Sequence, residues 1–162
     1  MARALIVGCG CQGRELAREL VALGWRVRGT SRDPSRLDAI EAAGLEPAGA
    51  DPDRPGTILE LCGDVAAVIW LLGSASGSPA ALAAIHGSRL ERLLEKLVDS
   101  PVRGFVYEAA GDVPEQVLSG GRKIVERAGE TWRIPVAVLT DPPGEESWAR
   151  RSAEQVAGLL AG

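Results

Sequence analysis

Histidine and cysteine are scarce in this chain of 162 residues: one histidine, His86, and three cysteines, Cys9, Cys11 and Cys62. An odd, sparse set of thiols makes no disulfide framework, and no Cys/His cluster has the spacing of a zinc site. Positive charge is not in excess either. The net charge is −4, with no basic stripe, which excludes a nucleic-acid surface. No apolar run approaches the ~20 residues of a membrane span. The "ALIV" that follows the first residues is too short for a signal-peptide core and lacks a cleavage site. A soluble, cytoplasmic protein is the expectation. Lysine is nearly missing, two against sixteen arginines, a bias of genome composition rather than of function. Repeats, low-complexity tracts and linkers are absent as well. What remains is an ordinary globular balance, 46% apolar and 25% charged. The length fits one domain over residues 1–162, with no separate substrate domain.

Short apolar runs alternate with helical patterns. Strands are expected at 3–7, 26–29, 46–48, 66–72, 102–107 and 136–139, and helices at 11–23, 35–43, 57–61, 80–97, 114–128 and 145–160. Six strands alternating with helices imply an α/β protein, a doubly wound parallel sheet of Rossmann type with helices on both faces. Right-handed crossovers favour the strand order 3-2-1-4-5-6. Gly24, Gly44 and Gly63 fall where left-handed helix caps are wanted. Leu82, Ile85, Leu90, Leu93, Leu94 and Leu97 form an apolar stripe along one long helix, expected to cover the sheet.

Gly8-Cys9-Gly10-Cys11-Gln12-Gly13 is G-x-G-x-x-G, set between an apolar strand and an amphipathic helix. In that context Gly8 permits the tight turn, Gly10 lets the backbone approach a pyrophosphate, and Gly13 lets the helix pack on the sheet. The N–H groups and dipole of the helix start attract phosphate. The end of the second strand selects the cofactor. An acid there binds the adenosine ribose hydroxyls and favours NAD. Here Thr30, Ser31 and Arg32 occupy the place, and a hydroxyl with a guanidinium suits a 2′-phosphate. NADP is therefore favoured over NAD. Asp33 either caps the next helix, which Pro34 starts, or reaches the ribose.

On these residues the chain resembles the short-chain dehydrogenase/reductase superfamily, in its atypical and extended NAD(P)-binding, epimerase/dehydratase-like branches. "LIVGCGCQGRELARELVALGWRVRGTSR" looks like the cofactor half of an NADP-type member, and "AVIWLLGSA" is similar to the fourth strand and its cofactor-side loop. "GSRLERLLEKLVDSPVRGFVYEAAG", "SGGRKIVE" and "IPVAVLTDPP" resemble the long helix with the fifth strand, the active-site helix, and the sixth strand. The resemblance implies cofactor contacts from Leu72, Gly73 and Ser74, an acid near the adenine at Asp51 (equally a plain loop acid), and a ribose contact from Lys123. It also implies a tyrosine acid/base four residues before that lysine, where Ser119 stands. The carbonyl-binding hydroxyl after strand five is replaced by Ala109 and Ala110, and Ala84 stands where the long helix often carries asparagine. The substrate-binding C-terminal extension is expected to be missing too. The implied function is an NADP(H)-binding sensor, regulator or scaffold without ordinary dehydrogenase chemistry. The alternative is an oxidoreductase or epimerase-like enzyme with a non-standard acid/base.

Other residues attract blander readings. Tyr107, the one tyrosine, is expected in the core or at the cofactor edge, and Trp70 in the core. His86, beside Gly87, is expected at solvent or an interface, with no second base beside it. Cys9 and Cys11 are read as small residues where small residues fit, with a redox role as the other option. Part of the long helix could also serve a homodimer or a protein partner.

Overall fold

Six short segments pair side by side as parallel strands because a helical crossover between each and the next returns the chain to the same end of the sheet. The computed structural model describes residues 2–161. In chain order the elements are β1 (Arg3–Val7), α1 (Cys11–Ala22), β2 (Arg26–Ser31), a 3-10 turn (Pro34–Arg36), α2 (Leu37–Ala42), β3 (Glu46–Gly49), α3 (Pro55–Leu59), β4 (Ala67–Trp70), α4 (Pro79–Ile85), α5 (Ser88–Leu97), β5 (Gly104–Glu108), α6 (Glu115–Trp132), β6 (Val136–Leu139) and α7 (Trp148–Leu159). The sheet order is β3-β2-β1-β4-β5-β6, as the alternation implies. In register, Leu5 lies beside Arg28 and Val68, and Trp70 beside Tyr107.

Alternate strand residues feed two cores. Leu5, Val7, Val68, Trp70, Phe105 and Tyr107 point to one face, where α3, α5 and α6 pack. Ala4, Ile6, Val27, Ile69 and Val106 point to the other, under α1, α2 and α7. Both faces are covered, so the central strands read as unbroken apolar runs. On α5, Leu90, Leu93, Leu94 and Leu97 are all buried, each worth about 1.5–3 kcal/mol of transfer free energy.

Three expectations need correction. The single helix over 80–97 is two helices, broken at His86-Gly87. Gly87 has φ −128° and ψ −108°, and a Cβ there would lie 2.6 Å from the Ala83 carbonyl oxygen. The break turns His86 inward; it is 1% exposed, not at solvent. Of the three expected left-handed caps, Gly24 (φ +93°) and Gly44 (φ +83°) adopt that conformation, and Gly63 does not. At the other end of α6 a non-glycine, Arg133, takes the left-handed position. Among the described residues no helix is long and apolar enough to cross a membrane.

Candidate functional site

The C-terminal ends of β1, β2, β4 and β5 open onto a crevice of about 760 Å³, at the topological switch point where the chain reverses from β1 toward β4. Its floor is the glycine loop. Gly8 is held at φ +88°, and a Cβ there would lie 2.6 Å from the Leu71 carbonyl oxygen. Gly13 packs 3.3 Å from Cys9 Sγ and the Gly8 carbonyl, measured from the same virtual Cβ. The fold itself thus explains those two glycines. Gly10 differs: its φ is −85° and a Cβ would meet nothing within 4 Å. Thr30, buried behind the loop, supports it from both of its oxygens. Its Oγ1 accepts from Gly8 N–H at 3.4 Å and its carbonyl from Cys9 N–H at 2.9 Å. No side chain caps α1 and no acid occupies its first turn. The N–H groups of Cys11, Gln12 and Gly13 therefore lie beyond the reach of the helix's own carbonyls, and all three residues line the crevice.

Cys9 and Cys11 part company. Cys9 is 3% exposed, its sulfur tucked against Gly13 and Gly29, and burial pushes its thiol up to about 11 against the weaker pull of Arg14. That is a packing thiol, since reactive cysteines have lowered values. Cys11 is exposed on the crevice rim.

The second wall comes from the end of β2. Ser31, Arg32 and Asp33 all line the crevice. Ser31 Oγ accepts from Asp33 N–H at 3.1 Å. Arg32 donates across the opening to the Ser76 carbonyl at 3.4 Å. Asp33 acts as the cap of the following 3-10 turn, accepting from Ser35 N–H at 3.0 Å and Ser35 Oγ at 2.8 Å. Those bonds, with Arg36, hold its carboxyl below the usual range. Arg36 also lines this wall, a second guanidinium on the same rim that sequence reasoning passed over. The spacing of four residues from Arg32 was its visible signal. Asp51 lines the far edge and is tied into its own loop, its N–H donating to Thr57 Oγ1 at 2.9 Å.

The third wall is the β4 loop. Leu72 and Ser74 line the crevice. Gly73 does not. It is the joint between the β4 and β5 loops, where a side chain would collide with the Ala110 carbonyl. Its carbonyl accepts from Val113 N–H at 2.9 Å, and its N–H donates to Glu108 Oε1 at 2.8 Å. Ser119 and Lys123 are both exposed on α6 and neither lines the crevice. Tyr107 is wholly buried. Its hydroxyl sits 2.7 Å from His86 Nδ1, and His86 Nε2 sits 2.9 Å from the Leu72 carbonyl. A carbonyl only accepts, so Nε2 carries the proton and Nδ1 accepts from the tyrosine O–H. Burial holds His86 below its ordinary pKa, which keeps this tautomer neutral, and pushes the Tyr107 phenol up.

Sequence reasoning missed Glu108. It ends β5, is 2% exposed and lines the crevice. Burial pushes its carboxyl up to about 7, outweighing the Gly73 N–H bond. Its Oε2 has no hydrogen-bond partner among the described residues. The available signal was an acid closing an otherwise apolar strand, "GFVYE".

A scan against protein-family models and a search of curated proteins by sequence each return no match. Comparison of folds does. The chain is similar to a short-chain dehydrogenase/reductase superfamily protein from Agrobacterium tumefaciens with bound NAD, at TM-score 0.68 and 21% identity over 85% of this chain and 48% of that one. It is similar to UDP-glucuronic acid 4-epimerase from Bacillus cereus in complex with NAD, at TM-score 0.66 and 16% identity over 85% and 55%. A metagenomic short-chain oxidoreductase in complex with NADP matches at TM-score 0.67 and 22% identity over 98% of this chain and 90% of that one. The chain spans about half the length of the first two. With its sheet order, its glycine loop and these likenesses, the chain has a Rossmann fold, similar to that of these short-chain dehydrogenase/reductase structures.

Proposed function

We propose that this chain binds NADP(H) in the crevice and acts as a cofactor sensor, regulator or scaffold rather than as an ordinary dehydrogenase. The observation that carries the binding is Gly10. Gly8 and Gly13 are required by their own neighbours, whereas among the described residues a Cβ at Gly10 would meet nothing within 4 Å. A ligand lying on the loop does require the absence of a side chain at Gly10, because a pyrophosphate approaches the backbone there. Arg32, with Arg36 beside it on the rim, supports the 2′-phosphate and hence NADP. The absence of dehydrogenase chemistry draws on three places. Ser119 and Lys123 face solvent outside the crevice, Tyr107 is committed to His86 in the core, and Ala109 and Ala110 carry no hydroxyl.

Calorimetric titration with NADP, NADPH, NAD and NADH tests the binding. The expected result is binding of the phosphorylated pair ahead of the other two, and its loss in Gly10→Val with the circular dichroism spectrum unchanged. Wild-type affinity in Gly10→Val would show that the loop is not the site. A second reading, an oxidoreductase with a non-standard acid/base, draws on Glu108, a carboxyl of near-neutral pKa in the crevice. Turnover of a carbonyl or alcohol by the wild type, lost in Glu108→Gln, would establish it in place of the sensor.

A further inference from the structure

We propose that Glu108 is itself a ligand contact of the crevice, entering the complex as a neutral acid whose Oε2 donates a hydrogen bond to an oxygen of the bound dinucleotide. This rests on the dinucleotide reading above and adds a proton to it.

The two oxygens of Glu108 have different fates. Oε1 accepts from Gly73 N–H at 2.8 Å, which makes it the carbonyl-like oxygen of the protonated acid. The proton then sits on Oε2, which is buried and has no acceptor among the described residues. A buried donor left unpaired costs about 1–3 kcal/mol, so native structures supply a partner. Glu108 is one of the residues that line the crevice, and a ligand seated there is the partner that the buried Oε2 lacks within the protein.

The charge balance selects the neutral form. The β4 loop, Leu71 to Ser74, brings no ionisable side chain against Glu108. Tyr107 adjoins it on β5, buried and neutral. The glycine loop contributes the thiols Cys9 and Cys11. Asp112 follows on the β5 loop, and beyond β6 Asp141 is paired with Arg151 at 3.1 Å. The crevice cations, Arg32 and Arg36, belong to the opposite wall, and no cation is among the causes that set the Glu108 carboxyl. A dinucleotide adds at least two phosphate charges to this space. Like charge disfavours the carboxylate, so the acid that is half ionised in the free protein near pH 7 is protonated in the complex. Binding takes up the difference from solvent.

The probe is NADPH, titrated calorimetrically between pH 7 and 8.5 in two buffers of different ionisation enthalpy. Above pH 7 its 2′-phosphate, with a pKa of about 6, no longer titrates. At pH 8 the expected uptake is about 0.9 proton per ligand, with affinity falling toward tenfold per pH unit. Glu108→Gln keeps an acceptor for Gly73 and a donor for the ligand but cannot titrate. Its expected uptake is near zero and its affinity flat with pH. Binding without proton uptake in the wild type overturns the proposal while leaving the dinucleotide site standing. So does uptake that survives Glu108→Gln. The wild-type measurement stands alone should the variant fail to fold. Absence of binding by any of the four dinucleotides overturns both readings together.

Discussion

Glu108 also sets a testable pH dependence of stability in the absence of ligand. Its carboxyl rises from an ordinary 4.5 to about 7 on folding, through burial. The folded chain therefore holds a proton that the unfolded chain has released between those values. Stability from this group is fully present below pH 4.5 and is lost as pH rises through 7. At about 1.4 kcal/mol per pKa unit the difference amounts to about 3 kcal/mol by pH 8. With the side chain 2% exposed, solvent screening does little to reduce it. The assay is urea unfolding of wild type and Glu108→Gln at pH 4.5, 6 and 8. The amide does not titrate, so any constant effect of the substitution cancels in the comparison across pH. Relative to wild type the variant is expected to gain about 3 kcal/mol between pH 4.5 and 8, with the denaturant slope unchanged. A difference between the two proteins that stays constant across this range would refute the reasoning and show Glu108 ionised at ordinary pH.

Arg32→Ala is expected to weaken NADP binding by roughly 1.5–3 kcal/mol and to leave NAD nearly unchanged, by calorimetry; equal losses would show that it does not read the 2′-phosphate. Tyr107→Phe leaves His86 Nδ1 buried without a donor, at an expected cost of about 1–3 kcal/mol in urea unfolding. Combined with His86→Leu the loss should fall short of the sum by about 1 kcal/mol or more, and strict additivity would show that the bond contributes nothing. Against a panel of alcohols, aldehydes, ketones and nucleotide sugars the wild type is expected to show no turnover with either cofactor, and Ser119→Tyr should not restore it. Position 119 faces solvent, outside the crevice, so a phenol placed there has no bound cofactor to serve. Spectrophotometric detection of NADPH consumption on any panel member would count against the sensor.

The features legible in the sequence were those built from neighbours along the chain. Strand, glycine turn and helix lie within residues 3–22, and the strand–helix alternation leaves few right-handed topologies. The helix break at Gly87 was half legible. The stripe runs Leu82, Ile85 and then Leu90, a step of five residues, with Ser88 and Arg89 where a continuous helix would place apolar groups. The exposure of Lys123 was legible too, on periodicity. The buried positions of α6 are Leu118, Gly121, Val125 and Ala128, and neither 119 nor 123 belongs to that face.

What no local pattern could reveal is the pair of clamps on the β4 loop. His86, at the helix break fourteen residues downstream, reaches the Leu72 carbonyl from the face covered by α5 and α6. Glu108 reaches the next peptide, at Gly73 N–H, from a strand thirty-five residues away. Neither residue carries a motif; each is defined by the buried polar group that it satisfies. Together they fix two successive backbone groups at the edge of the crevice, where Leu72 and Glu108 both line it. Buried polar networks of this kind hold geometry because each unmade bond is expensive. Burial makes the same site sensitive to charge, since a carboxyl removed from water moves toward neutral pH. The wall of the crevice is thus rigid through one clamp, His86, which stays neutral, and responsive through the other, Glu108, which titrates near pH 7. On the proposed reading, the proton on Glu108 is the variable that this wall exchanges when a dinucleotide fills the crevice.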